Sequence, residues 1–174
     1  MHSEQKQIEK LLRELTKNNV SFVVVGGIPC ILYGVSRTTT DIDLMLSEYI
    51  PSLETTIDIL RRLGYDIICT CTPPYSFIMK TKNITADYII SEMPAVRFAD
   101  SPDKLFPVDV SIVDLRLYRS LLKHTVIIPF GKSSMPCPDI EKLISLKRAA
   151  GRPKDKEDIE ELKVILRILR TLRS

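Results

Sequence analysis

Two aspartates separated by one residue, Asp41 and Asp43, stand in the apolar run Asp41-Ile42-Asp43-Leu44-Met45-Leu46. Successive side chains of a strand alternate faces, so both carboxylates would project from one face while Ile42 and Leu44 enter the core. Adjacent carboxylates repel each other and resist burial unless a cation lies between them. Hard divalent ions such as Mg²⁺ take such oxygen ligands, usually with substrate phosphates completing the shell. Upstream, the run Val23-Val24-Val25 ends in Gly26-Gly27. Glycines let backbone approach a ligand closely, and the N–H groups after them can take a phosphate. The expected chemistry is a metal-dependent site for a nucleoside triphosphate.

Two metal ions about 4 Å apart, as used in nucleotidyl transfer, need a third carboxylate. In Pro107-Val108-Asp109-Val110-Ser111-Ile112, the apolar residues share one face and Asp109 falls mid-strand on the other. A carboxylate is otherwise disfavoured there. Asp109 is the preferred third ligand; Asp114, at the strand end, and Asp87 are the rivals.

Lys147 follows Ile140, Leu143 and Ile144 at helical spacing and therefore shares their core-directed face. Such a lysine either snorkels out at the helix end or reaches an internal anion. Arg37 precedes the carboxylate strand and is placed to meet phosphate or to stay a solvated loop charge. Arg152, Lys154 and Asp155 gather charge between the last two helices, and Asp155 with Asp158 is expected to cap the final one. Lys163, Arg167, Arg170 and Arg173 follow one side of that helix, either as a solvated face or as a guide for RNA.

These residues need strands to align them and helices to cover them. Helices are expected over 4–17, 28–33, from 51 to about 63, 115–123, 139–150 and 155–172. Strands are expected over 20–25, 41–46, 65–70, 76–80, 84–90, 106–113 and 125–130, with 81–83 as a hairpin turn. Residues 91–105, which contain Pro94 and Pro102, read as a loop. Gly131–Ser134 reads as a turn, and Pro136 and Pro138 bar a helix before about Asp139. The 174 residues suit one mixed α/β (α+β) domain, with a core at about 18–135 and a C-terminal helical pair at about 138–173.

The composition, 44% hydrophobic and 27% charged, is that of a soluble globular chain, and the net charge of +3 says little about partners. No stretch has the length of a membrane span, and the polar N-terminus has no apolar signal region behind it. A cytoplasmic location is expected. Cys30, Cys69, Cys71 and Cys137 form no C-x-x-C pair and there are two histidines, so buried inert thiols are expected rather than a zinc site.

Gly26-Gly27, then Asp41-Ile42-Asp43-Leu44, then Asp109 within an apolar strand resembles the DNA polymerase β-like nucleotidyltransferase superfamily. Val24-Val25-Gly26-Gly27 and Arg37-Thr38-Thr39-Thr40-Asp41-Ile42-Asp43 look most like the branch that holds the AbiEii-type toxins and small relatives. Ile140–Lys147, with Arg152-Pro153-Lys154-Asp155 and Asp158, is similar to that branch's lysine and aspartate motifs. The likeness spans 20–46, 105–113 and 138–162. AbiEii-type toxins are typically longer, with a larger helical region.

The resemblance implies a short mixed sheet flanked by helices and transfer of a nucleoside monophosphate from an NTP with loss of pyrophosphate. Asp41 and Asp43 would bind Mg²⁺ and Asp109 would complete the site. Gly26 and Gly27 would cradle the triphosphate and Lys147 would neutralise it. The implied acceptor is a tRNA or a protein, in a toxin–antitoxin or defence setting where a partner protein is possible. The alternatives are a small hydroxylated acceptor such as an aminoglycoside, or a non-catalytic domain that binds a nucleotide or a partner chain.

Overall fold

In a computed structural model, residues 2–70, 76–78, 85–92, 95–99 and 106–172 are described. The expected turn at 81–83 and Arg173 lie outside them.

Helix α1 (His2–Lys17) places Leu11, Leu12 and Leu15 in the core, and strand β1 (Val23–Val25) follows. Gly26-Gly27 turns the chain into the short helix α2 (Gly27–Tyr33), which Gly34 closes with a left-handed backbone, φ 104°. A loop carrying Arg37 and Thr39 leads into β2 (Ile42–Ser47). Helix α3 (Ile50–Arg62), with a proline in its first turn, and strand β3 (Asp66–Thr70) come next.

Strand β4 (Ser76–Ile78), helix α4 (Ala86–Glu92) and strand β5 (Ala95–Ala99) precede β6 (Val108–Val113). Helix α5 (Leu115–Leu122) is followed by the ribbon β7 (Thr125–Phe130) and β8 (Ser133–Pro138). Helices α6 (Ile140–Ala150) and α7 (Asp155–Thr171) form the expected C-terminal pair.

The main sheet runs β1-β2-β6-β5-β3-β4, and β7-β8 forms a second. Within the main sheet β2 and β6 are parallel and the remaining pairs antiparallel. One face packs Ile42, Leu44, Leu46, Val96, Phe98, Val108 and Val110 into a core closed by α1, α3 and α4. Part of the other face is covered by Tyr118 and Leu121 of α5 with Leu146 of α6. The rest of that second face carries the acidic residues.

Three expectations about the elements are corrected. Residues 86–92, within the stretch read as strand 84–90, are helical because Ala86, Ile89 and Ile90 fall at i, i+3 and i+4 and bury one stripe. Within the expected loop 91–105, Ala95–Ala99 is a strand that places Val96 and Phe98 in the core. Ser133 and Ser134, read as part of a turn, instead open β8, which pairs with β7 although it holds Pro136 and Pro138. Alternate residues of a strand send their N–H groups to opposite sides, so prolines two apart at 136 and 138 spoil only one side of it.

Candidate active site

The register fixes a row across the sheet: Val25 lies opposite Asp43, Asp43 opposite Asp109, and Asp109 opposite Arg97. Their side chains therefore leave the sheet on one face, away from the core. Asp41, two residues before Asp43, adds a second carboxylate from the end of the Arg37–Thr40 loop. Asp41, Asp43 and Asp109 thus line one small polar cavity of about 140 Å³, together with Gly27, Arg37, Thr39, Arg97, Lys147, Arg152 and Lys154. All three acids singled out in the sequence meet here, with Gly27, Arg37 and Lys147. Gly26 lies directly beneath Asp43.

Gly26 adopts φ 75°, ψ −131°, a conformation that favours glycine. A β-carbon at this position would lie 1.8 Å from Oδ2 of Asp43. At Gly27 a β-carbon would meet the Thr39 hydroxyl at 2.7 Å. The glycine pair therefore lets the backbone pass directly against the acidic strand, and the Gly27 N–H donates to the Asp43 carboxylate.

Asp43 is held away from its ordinary carboxylate range. Burial, then repulsion from Asp41 and Asp109, pushes its pKa up to about 6, against the partial relief given by Arg152 and the Gly27 N–H. Asp41 accepts from the Thr39 hydroxyl at 2.9 Å. Asp109 is gripped by Arg97, whose Nε and Nη2 donate to its two oxygens at 2.7 and 2.8 Å. The same Nη2 reaches Oδ2 of Asp41 at 2.8 Å.

Around this acidic centre lies a chain of ion pairs. Lys147, 3% exposed, donates to Asp155 at 3.0 Å and Asp158 at 2.7 Å. Arg37 also bonds Asp158, and Arg152 Nε donates to Asp155 at 2.7 Å. Burial would lower the Lys147 pKa, but the two carboxylates outweigh it and raise it. Asp155 is pulled below its ordinary value because its bonds to Arg152 and Lys147 overcome burial.

The expected helix cap formed by Asp155 and Asp158 is corrected here. Lys154 occupies the cap position of α7 without a side-chain bond, and both aspartates turn inward to the buried lysine. A buried ammonium recruits carboxylates more strongly than backbone N–H groups near solvent do. Among the rivals for third carboxylate, Asp114 caps α5 by accepting from Leu117 N–H at 2.9 Å, and Asp87 stands exposed in the first turn of α4. Cys30 and Cys137 are buried free thiols, pushed up to about 11 and about 12 chiefly by burial.

The structure adds Arg97 and Thr39 to the residues expected at the site. A signal for Arg97 was present in Ala95-Val96-Arg97-Phe98-Ala99, where one polar residue alternates with large apolar ones. The proximity of Pro94 and Pro102 masked it.

The acid set suits a divalent ion: oxygen ligands only, an excess of repulsion on Asp43, and a polar cavity beside it. Among the described residues, however, no three acidic, histidine or cysteine side chains converge closely enough to hold a metal as they stand. Nη2 of Arg97, bonded to both Asp41 and Asp109, takes up the space between two of them.

The six-stranded mixed sheet, its helical layers and the terminal helix pair are the nucleotidyltransferase fold. The chain is similar to the lincosamide antibiotic adenylyltransferase LnuA, solved with lincomycin bound, with a TM-score of 0.60 at 14% identity over 92% of this chain and 96% of that one. Against ANT(2")-Ia in complex with adenylyl-2"-tobramycin the TM-score is 0.56 at 14% identity, over 98% of each chain. An antigenic nucleotidyltransferase-like protein from Paracoccidioides brasiliensis gives 0.55 at 15% identity, over 95% of this chain and 76% of that one. At these identities the likeness establishes the fold. No family model matches the sequence, and no curated protein does.

Proposed function

We propose that the protein is a nucleotidyltransferase that moves a nucleoside monophosphate from an NTP to a hydroxyl acceptor. The observation that carries this reading is the convergence of Asp41, Asp43 and Asp109 on one polar cavity beside Gly26-Gly27, within the nucleotidyltransferase fold. Asp41 and Asp43 would hold Mg²⁺, and Asp109 would complete the set. Bound divalent ions would supply charge stabilisation on the attacking and leaving oxygens.

The chain's own residues orient and neutralise. The Gly26-Gly27 turn gives the triphosphate close backbone approach, and Arg37, Lys147, Arg152 and Lys154 present positive charge along one wall. The acceptor oxygen attacks the α-phosphorus, the α–β phosphoanhydride bond breaks and pyrophosphate leaves. Asp109 takes the proton of the acceptor hydroxyl.

For the acceptor, the favoured reading is a small hydroxylated compound. One of the similar structures is a lincosamide antibiotic adenylyltransferase, another holds adenylyl-2"-tobramycin, and the alignment spans nearly the whole of each chain. The basic side of α7, read as a solvated face or as a guide for RNA, is partly consumed: Lys163 pairs with Glu160 at 2.5 Å and Arg170 with Glu141 at 2.6 Å. A tRNA or protein acceptor, in a toxin or defence setting with a possible partner protein, is the second reading. It is favoured by the sequence likeness around Lys147, Asp155 and Asp158, which cluster at the site.

No helix among the described residues is long and apolar enough to cross a membrane; with two buried free thiols, a cytoplasmic enzyme is proposed. The chain forms one catalytic domain, with α6 and the turn before α7 part of the site.

The test is binding of each NTP with and without Mg²⁺, followed by incubation of α-labelled NTP with aminoglycosides, lincosamides, total RNA and lysate protein. Mg²⁺-dependent binding that is lost in Asp41→Asn and Asp43→Asn supports the reading, and its absence in the unaltered chain defeats it. Label on a small compound selects the first acceptor class; label on RNA or protein selects the second.

A further inference from the structure

Among the described residues, Arg97 is the cation that bonds both Asp41 and Asp109. It stands on β5 directly opposite Asp109 of β6, which in turn stands opposite Asp43 of β2. Its guanidinium holds both oxygens of Asp109 and also reaches Asp41. A forked arginine–carboxylate contact is specific in geometry as well as charge. The bond to Asp109, opposed by burial, raises the guanidinium pKa further, so the residue is always charged. Asp43 receives no comparable contact, and its pKa is raised.

Resting on the nucleotidyltransferase reading above, we propose that Arg97 is a resident counter-cation that reserves Asp41 and Asp109 until a divalent ion arrives with a triphosphate. A bare divalent ion entering between these carboxylates would face a fixed positive charge a few ångströms away, and like charges at that distance oppose each other. A triphosphate brings about four negative charges with it and offsets that opposition. Loading is therefore ordered: the ion binds with nucleotide and poorly without it. With an ion bound, the guanidinium would give up Asp41 and keep Asp109, whose carboxylate has lone pairs beyond the two used by the fork.

The test is Mn²⁺ binding by the protein, measured as the loss of the free-ion EPR signal beyond the loss that the same nucleotide concentration causes without protein. The full chain, Arg97→Gln and Arg97→Lys are each titrated without nucleotide and with an α,β-methylene ATP analogue. Mn²⁺ takes the same oxygen ligands as Mg²⁺. The expected result is weak Mn²⁺ binding by the unaltered chain alone and much tighter binding with the analogue. Arg97→Gln should bind bare Mn²⁺ at least about tenfold tighter than the unaltered chain, because the opposing charge is gone. Arg97→Lys should stay with the unaltered chain, since charge, not shape, excludes the ion.

Equal or weaker bare Mn²⁺ binding by Arg97→Gln overturns the proposal, as does Arg97→Lys tracking Arg97→Gln. Should Arg97→Gln not fold, the unaltered chain decides: bare Mn²⁺ held as tightly as with the analogue overturns the proposal, and a large difference supports it. Absence of Mn²⁺ binding even with the analogue is a separate result, and it defeats the nucleotidyltransferase reading itself.

Discussion

The α-carbon of Gly26 lies so close to the carboxylate of Asp43 that a single added methyl would sit 1.8 Å from Oδ2, well inside contact distance. Strand and turn are thus fitted to one another at Asp43, whose pKa is raised. Gly26→Ala must both strain a positive φ and push Asp43 aside. The expected loss is about 1–3 kcal/mol of stability, read by urea denaturation. Nucleotidyl transfer, followed as label incorporation, should fall by at least about a hundredfold, because a displacement near 1 Å at a reacting centre costs that much.

Asp43 also makes stability depend on pH. Its ordinary value of 3.8 rises to about 6 in the folded protein, so the native state holds this proton more tightly than the unfolded chain does. Its contribution therefore favours the fold at low pH, declines between about pH 4 and 6, and is a cost above that. Asp43→Asn, which keeps an acceptor for the Gly27 N–H, should be more stable than the unaltered chain at pH 8 by about 1–3 kcal/mol, and equal to it near pH 4. Denaturation curves at the two pH values measure this, and added Mg²⁺ with nucleotide should narrow the gap at pH 8.

Asp109 and its rival Asp114 separate cleanly. Asp114→Ala removes a helix cap and should cost about 1 kcal/mol while leaving transfer intact. Asp109→Asn should abolish transfer by at least about a hundredfold, through loss of a charged group aimed at the reacting centre. Steady-state transfer assays beside melting curves distinguish the two outcomes.

The buried pairs of Lys147 predict a contrast between two lysine and arginine deletions. Lys147→Met leaves Asp155 and Asp158, 1% and 4% exposed, without their central partner, and should destabilise by about 3 kcal/mol. Arg170→Ala removes an ion pair whose side chains are 65% and 60% exposed, and should change stability by less than about 0.5 kcal/mol. Urea midpoints compare them directly.

The parts of the site that could be read from sequence are those where chemistry and periodicity coincide. Asp41, Asp43 and Asp109 each interrupt an apolar alternation, which is a local signal of a shared face. Gly26 and Gly27 close a β-branched run, another local signal, and Lys147 was placed by helical spacing alone. Arg97 depended on recognising β5, a five-residue strand between segments with prolines whose partners β3 and β6 are distant in sequence. Helix α4 was misread because Ile89 and Ile90 favour strands intrinsically, whereas tertiary burial of Ala86 and Ile89 settled the matter. Asp155 and Asp158 have a sufficient local explanation as capping residues; only the buried position of Lys147 reveals where their charge goes.

The row of Asp43, Asp109 and Arg97 gives this part of the chain an arithmetic. Neighbours across a sheet are matched one to one, and faces are counted in twos. Loss or gain of one residue within β5 or β6 would send Arg97 or Asp109 inward and bring Phe98 or Val110 out. A two-residue change would restore the face but leave its charge about 7 Å out of line. Changes of length are therefore confined to the connections on either side of these strands, while within them only substitution can explore new chemistry.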